Sequence, residues 1–183
     1  MIARNALHSR RGSFKDRRGV AMVEFALTLP MLMLLYLGSV QLTSAMSCYR
    51  KLGATGRFVA DLISQDTATT PGEINYVLQA AQVIMAPYAS KQLTVRVTSI
   101  KTDQTNLGTV QWSSALNGTG LRRGTIVSVP EGLAPGDRFL IYVETSYQFR
   151  LLGPLKLFNP VLLADRFYMS PRQSRQVACD TCG

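Results

Sequence analysis

Histidine, cysteine and, over one long stretch, charge are what this chain has least of. The only histidine is His8, so everything beyond it lacks the imidazole needed for Ser-His or Cys-His nucleophilic pairs and His-metal centres. A zinc site takes about four ligands, and three cysteines, Cys48, Cys179 and Cys182, do not supply them. Asp61, Asp66, Glu131, Glu144 and Asp165 are scattered and form no paired-carboxylate signature. "GTGLRRG" (118–124) lies among strand-like segments and lacks the spacing of a phosphate-binding loop. Arg122-Arg123 within it reads as a solvated tip. There is no internal repeat and no low-complexity tract. The chain therefore offers no catalytic residue, no metal-ligand set and no cofactor motif, and reads as non-enzymatic.

The missing charge is more informative. From Phe25 to Tyr49 no side chain is charged, and the stretch includes Leu27, Leu29, Met31, Leu32, Leu34, Leu35, Leu37, Val40 and Leu42. A helix needs roughly 20 such residues to cross a bilayer core of about 30 Å; this stretch is long enough. The net charge of +9 suggests nucleic acid until it is divided. Arg4, Arg10, Arg11, Lys15, Arg17 and Arg18 against Asp16 give residues 1–19 a net +5, leaving +4 for the rest. Most of the basicity thus lies directly before the apolar stretch, where the positive-inside rule wants it. Nothing after the span interleaves basic and aromatic residues as a nucleic-acid groove does, so nucleic acid is excluded as a partner. The asymmetry predicts a cytoplasmic N-terminus and an exported C-terminal part; Arg50 and Lys51 weaken that bias without reversing it.

In an oxidising compartment Cys179 and Cys182, spaced Cys-Asp-Thr-Cys, are placed to form a short-loop disulfide or to remain as two thiols. A thioredoxin-like role needs the motif at a helix start inside a βαβ unit, and here it is on a tail.

Three readings fit the N-terminal region. A cleaved secretory signal would be cut after Ala45-Met46-Ser47, but its apolar region is longer than the usual 7–15 residues. A plain uncut anchor explains length and charge but not Glu24. The third starts from "RRGVAMVEFALTLP" (17–30), in which Gly19 closes a basic leader and Glu24 falls five places later, followed by Phe25. That pattern resembles the prepilin leader of the tight-adherence (Tad/Flp) type IV pili. The resemblance implies cleavage between Gly19 and Val20 by a prepilin peptidase, and Glu24 at the fifth mature position. Major pilins of the family carry Glu-Tyr where this chain has Glu24-Phe25. A carboxylate costs about 2.5–3.5 kcal/mol at the centre of a bilayer helix and less near its end, and the helix dipole favours an anion in the first turns. The amine freed at Val20 could pair with Glu24 of a neighbouring subunit and set axial register, with Phe25 beside it.

Beyond the span, "CYRKLGATGRFVADLISQD" (48–66) keeps helical spacing through Leu52, Val59, Leu62 and Ile63. Gly53 and Gly56 lower helix propensity and are expected to mark a bend where the helix leaves the membrane. Thr70, Pro71 and Glu73 predict an N-cap, a first helical position and a capping box. That helix turns Ile74, Val77, Leu78, Ala81, Ile84 and Met85 inward and stops at Pro87. From residue 91 the period becomes two. "QLTVRVTSI" alternates Leu93, Val95 and Val97; "GTVQWSS" places Val110 and Trp112 together; "DRFLIYVETSYQFRL" turns Phe139, Ile141, Val143, Tyr147 and Phe149 to one face; "ADRFYM" supplies a last strand. "NGTG" and "PEGLAPGD" read as loops. Tyr142, Tyr147 and Phe149 are expected in the core or on the sheet rather than in a ligand groove, and Arg166, Arg172 and Arg175 in surface pairs or subunit contacts.

Helices first and strands afterwards predict an α+β fold: an N-terminal transmembrane pilin-type helix continuing toward an exported domain, with a second helix packed on a small antiparallel β-sheet. The boundaries are a leader at 1–19, a transmembrane helix at 20–49 and an exported domain at 50–183. With "RFVADLISQD", "IMAPY", "PEGLAPGDRFLIYVETSYQF" and "RFYMSPRQSRQVAC" added, the chain resembles a TadE/TadF-type minor pseudopilin, leaning to TadE. The resemblance implies an inner-membrane, single-pass protein acting in pilus assembly and adhesion. Its implied partners are the prepilin peptidase, other Tad pilins and pseudopilins, the inner-membrane assembly platform and membrane lipid. The competing reading is an uncleaved, membrane-anchored exported binding module unrelated to pili.

Overall fold

The computed structural model describes residues 17–133, 136–151 and 159–182; the basic leader through Asp16 lies outside the described residues. The chain forms α1 (Arg17–Gln65), α2 (Pro71–Ile84), a 3-10 turn (Ser90–Gln92), β1 (Leu93–Thr102), β2 (Leu107–Leu116), β3 (Ile126–Ser128), β4 (Phe139–Phe149) and β5 (Val161–Met169). It divides into two compact units, Met1–Leu42 and Thr43–Gly183.

The first unit is the N-terminal part of α1. Its side chains from Val20 to Val40 are exposed and mostly apolar, and a membrane-length window reaches a mean hydropathy of 2.0 with none of it buried. Such a surface is stable only in an apolar solvent or against other apolar helices. The hydroxyls on it turn back to the helix: Thr28 Oγ1 donates to the Phe25 carbonyl at 3.2 Å and Ser39 Oγ to that of Tyr36 at 2.8 Å. Pro30 lies inside the helix and has no N–H to give the carbonyl four residues back.

The second unit is a five-stranded antiparallel sheet in the order β3-β2-β1-β4-β5. One face carries the main core. Leu93, Val95 and Val97 of β1 and Ile141, Val143, Tyr147 and Phe149 of β4 meet Leu52, Val59 and Ile63 of α1 and Ile74, Leu78 and Ala81 of α2. Each fully buried aliphatic side chain contributes about 1.5–3 kcal/mol. α2 starts as its sequence dictates: Glu73 N–H donates to Thr70 Oγ1 at 3.3 Å and Thr70 N–H to the Glu73 carboxylate at 2.8 Å. The helix ends at Ile84, before Pro87.

Gly53 and Gly56 do not mark a bend. α1 runs through both, and what they provide is proximity. A Cβ on Gly56 would lie 2.5 Å from Phe167 Cδ2 and 3.1 Å from Thr145 Cγ2, and one on Gly53 would lie 3.2 Å from Asp165 Oδ2. The helix backbone rests directly on β4 and β5. Successive contacts show α1 and β5 running the same way. Leu163 shares a depression with Ala45, Met46 and Tyr49, Asp165 lies at Gly53, Phe167 at Gly56, and Met169 Sδ accepts from Ser64 Oγ at 3.2 Å. From Tyr49 to Ser64 a helix rises ~22 Å, and from Leu163 to Met169 a strand rises ~20 Å, so the two stay in step.

The expectation that Val110 and Trp112 share a face is corrected. Ser99 pairs with Trp112 but Ile100 with Val110, leaving Gln111 as the extra residue of a β-bulge. A bulge inverts the alternation. Trp112 therefore joins the main core, while Val110 crosses to a second cluster with Ile100, Val129, Leu140 and Tyr142. The short strand β3, for which the sequence reading predicts no element, lies beside β2 and flanks this cluster through Val127.

The close approach at Gly56 is testable. Gly56→Val should lower stability by about 1–3 kcal/mol through overpacking against Phe167, despite the gain in helix propensity. Thermal unfolding of the detergent-solubilised protein is the measurement, and an unchanged midpoint would refute the contact.

Candidate functional site

The residues singled out at the N-terminus all lie on α1, which begins at Arg17. Gly19, Val20, Glu24 and Phe25 are all exposed. Val20 and Glu24 are four residues apart, hence on one helix face. A Cβ on Gly19 would meet nothing within 4 Å among the described residues. Nothing in the fold therefore requires glycine there, and a glycine within a helix is worse than alanine by about 1 kcal/mol. Gly53 and Gly56 answer to packing; Gly19 and Gly38, both exposed with nothing within 4 Å of a Cβ, do not.

At the other end of the chain the cysteine pair does more than close a tail. Cys179 and Cys182 are joined in a disulfide with Cα atoms 5.5 Å apart, and both are buried in the main core. The preceding residues form a clasp. Trp112 Nε1–H donates to the Val177 carbonyl at 2.8 Å, Thr69 N–H to the Ala178 carbonyl at 2.8 Å, and Ala178 N–H to the Thr67 carbonyl at 3.2 Å. Ala68 and Ala178 thereby make a parallel bridge, which ties the α1–α2 connection to the chain end. Cys48 is free and buried.

The arginines make pairs within the chain. Arg172 meets Asp61 at 2.5 Å and Arg175 meets Asp137 at 2.9 Å. Arg166 reaches Glu144 at 3.6 Å, which Arg96 also holds at 2.8 Å. Lys101, first by hydrogen bonding and then by its charge, keeps the Asp137 carboxyl below its ordinary range. Tyr142 donates to Glu144 at 2.5 Å and stacks on Tyr168 with centroids 4.8 Å apart. Burial, then the bond to Glu144, pushes the Tyr142 phenol up; burial likewise raises Tyr168. Arg122 and Arg123 are exposed. Among the described residues no group of three or more His, Cys, Asp or Glu side chains is placed to hold a metal ion. What this arrangement offers is surfaces and covalent closure, and the exposed junction on α1 is the feature its own fold leaves unexplained.

Residues 19–61 match the family model described as TadE-like protein. Neither a search of curated proteins nor one of solved structures found a match. The TadE-like segment begins at Gly19 and runs through the apolar helix to Asp61, covering also Gly53 and Gly56. It supports a pilin-like role associated with the Tad pilus, and its apolar helix fits a single-pass membrane anchor. The sheet, the clasp and the disulfide lie beyond the matched segment. Reading the chain in order missed the clasp, because a parallel bridge between residues 68 and 178 leaves no local periodicity. The one signal was the apolar Val177 two residues before Cys179.

Two outcomes follow from this chemistry. Cys179→Ser should destabilise the fold by about 2 kcal/mol, as expected for a very short closed loop. It should also red-shift the emission of Trp112, the only tryptophan; an unshifted spectrum would separate the clasp from the disulfide. A phenol raised in the fold above its ordinary 10.0 contributes stability that is complete below that value and is lost as pH rises past it. Tyr142→Phe should therefore flatten the loss of stability above pH 10.0 in an alkaline titration followed by circular dichroism.

Proposed function

We propose that this chain is a non-enzymatic minor pilin of the Tad pilus, matured by removal of residues 1–19. The carrying observation is the place of Gly19: like Gly38 it is exposed with no packing reason in its own fold, but it closes the basic leader and stands where the TadE-like match begins. A prepilin peptidase that needs a residue without a side chain at the cut supplies the missing reason. Cleavage gives Val20 a free amine four residues before Glu24. Their charges are opposite and their separation is one helical turn. Packed among other pilin helices, Glu24 pairs with the Val20 amine of a neighbour and fixes its axial step, because a carboxylate left unpaired in an apolar bundle is costly.

The leader stays in the cytoplasm and the domain is exported across the inner membrane, as the charge asymmetry requires. That domain meets the assembly platform and the other pilins and pseudopilins, and so serves assembly and surface adhesion. An exported setting also suits the Cys179–Cys182 disulfide.

Intact mass of the membrane-extracted protein is the test. The wild type should have lost residues 1–19, and Gly19→Leu should retain them. Glu24→Gln should still be processed but should fall at least several-fold in sheared pilus fractions. A wild-type chain that keeps Met1, or that begins after Ser47, would overturn the proposal.

A further inference from the structure

The second unit has one end at which its chain arrives from the apolar helix, and the geometry of that unit alone defines it. Thr43 begins the unit. Tyr88 donates from its hydroxyl to the Ser44 carbonyl at 3.3 Å and sits edge-on to Tyr147 at 6.0 Å. Tyr147 pairs with Leu93 on one side and with Leu163 on the other. Leu163 in turn lies beside Ala45, Met46 and Tyr49.

Two properties distinguish this end. The first is exposed apolar surface: Met46 is 51% exposed, Tyr49 45%, Val161 45% and Leu162 65%. Met46 and Tyr49 line a shallow depression of about 260 Å³ together with Ala45, Arg50 and Leu163, and Val161 and Leu162 precede Leu163 at the start of β5. The second is the sign of the charge. Arg50, Lys91 and Arg150 are exposed here, and Lys51 donates to the Ala86 carbonyl and lies over the Tyr88 ring. The carboxylates lie elsewhere. Glu144 and Asp165 sit at mid-sheet, with Glu144 held by Arg96 and Arg166. Asp61, Asp103 and Asp137 belong to the opposite end, where Arg172, the β1–β2 turn and Lys101 hold them.

We propose that this end of the domain lies on the bilayer surface. Met46, Val161 and Leu162 would reach the acyl boundary, Tyr49 would sit at headgroup level, and Arg50, Lys91 and Arg150 would meet anionic phospholipid headgroups. The occupant follows from continuity and charge. The apolar stretch of mean hydropathy 2.0 is joined to this unit at Thr43, so this end is the one that connectivity holds against the membrane. An apolar patch rimmed by tyrosine and cations, without carboxylates, matches the composition of an interfacial surface. The inference rests on the membrane-anchored reading above and adds a second, peripheral lipid contact to it.

The test uses the full chain reconstituted in phosphatidylcholine vesicles, with or without phosphatidylglycerol, containing lipids brominated near the headgroup end of the acyl chain. Leu162→Trp introduces an indole into the patch. Ile126→Trp introduces one at an exposed site on β3, with Trp112 as a constant background. The emission added by Leu162→Trp should fall about two-fold or more, as expected for a side chain within ~5–10 Å of the interface, while that added by Ile126→Trp is unchanged. Adding phosphatidylglycerol should deepen the quenching, and Arg50→Gln combined with Lys91→Gln should abolish that gain. Absence of quenching at position 162 in protein that withstands a carbonate wash would overturn the surface contact and leave the anchor standing. Loss of the chain into the wash would remove the anchor, and the contact with it. An emission shift that grows with the protein-to-lipid ratio, without quenching, would assign the patch to a second copy and overturn the lipid assignment.

Discussion

A helix backbone laid on the side chains of a sheet, with no side chain of its own in between, is the contact from which the architecture of the folded unit follows. At Gly56 even a methyl group would stand 2.5 Å from the ring of Phe167, so the separation of α1 from β5 is set by backbone and ring alone. Once α1 lies that close, α2 and the C-terminal tail complete the same face, and the core of Leu52, Ile63, Leu78, Val95 and Val143 closes among them. Among the described residues the opposite face carries no helix. It is covered by the chain between β2 and β4 through Leu121, Val127 and Val129 and, beside that cluster, by a ladder in which Glu144 bridges Arg96 and Arg166. Surface pairs of this kind contribute little each, about 0–1 kcal/mol; they leave that part of the open face polar.

The two units meet opposite demands. The first exposes apolar side chains and carries Glu24 as the one acid among its described residues; the second buries its apolar side chains, holds its C-terminal segment by hydrogen bonds to Trp112 and to the α1–α2 connection, and closes that segment on itself with a disulfide. The TadE-like match covers the first demand and the beginning of the second. The residues it spans include both kinds of glycine: Gly19 and Gly38, exposed with no internal contact, and Gly53 and Gly56, buried against the sheet.

Local features were legible in the sequence. The capping box at Thr70 and Glu73, the uncharged run from Phe25 and the β1 alternation at Leu93, Val95 and Val97 are each made by residues close together in the chain, and short-range rules read them directly. The α+β order and antiparallel pairing followed from the change in period. Non-local features were not legible. A single extra residue, Gln111, sends Val110 and Trp112 to opposite faces, and no composition marks a bulge. Gly53 and Gly56 lower helix propensity, which suggested a bend. Only the position of Phe167, more than a hundred residues later, shows that they serve proximity. The arginines Arg172 and Arg175 find acids inside the chain, at Asp61 and Asp137, across separations that sequence alone does not bridge.

The parallel course of α1 and β5 has a mechanical consequence. Tension drawn through Thr43 would run along the axis of α1 and reach the sheet as shear, spread over every contact from Leu163 to Met169 together. It would not peel those contacts apart one at a time from an end. Interfaces loaded in shear yield only when many contacts fail at once. A domain loaded in this way is suited to stay folded under tension.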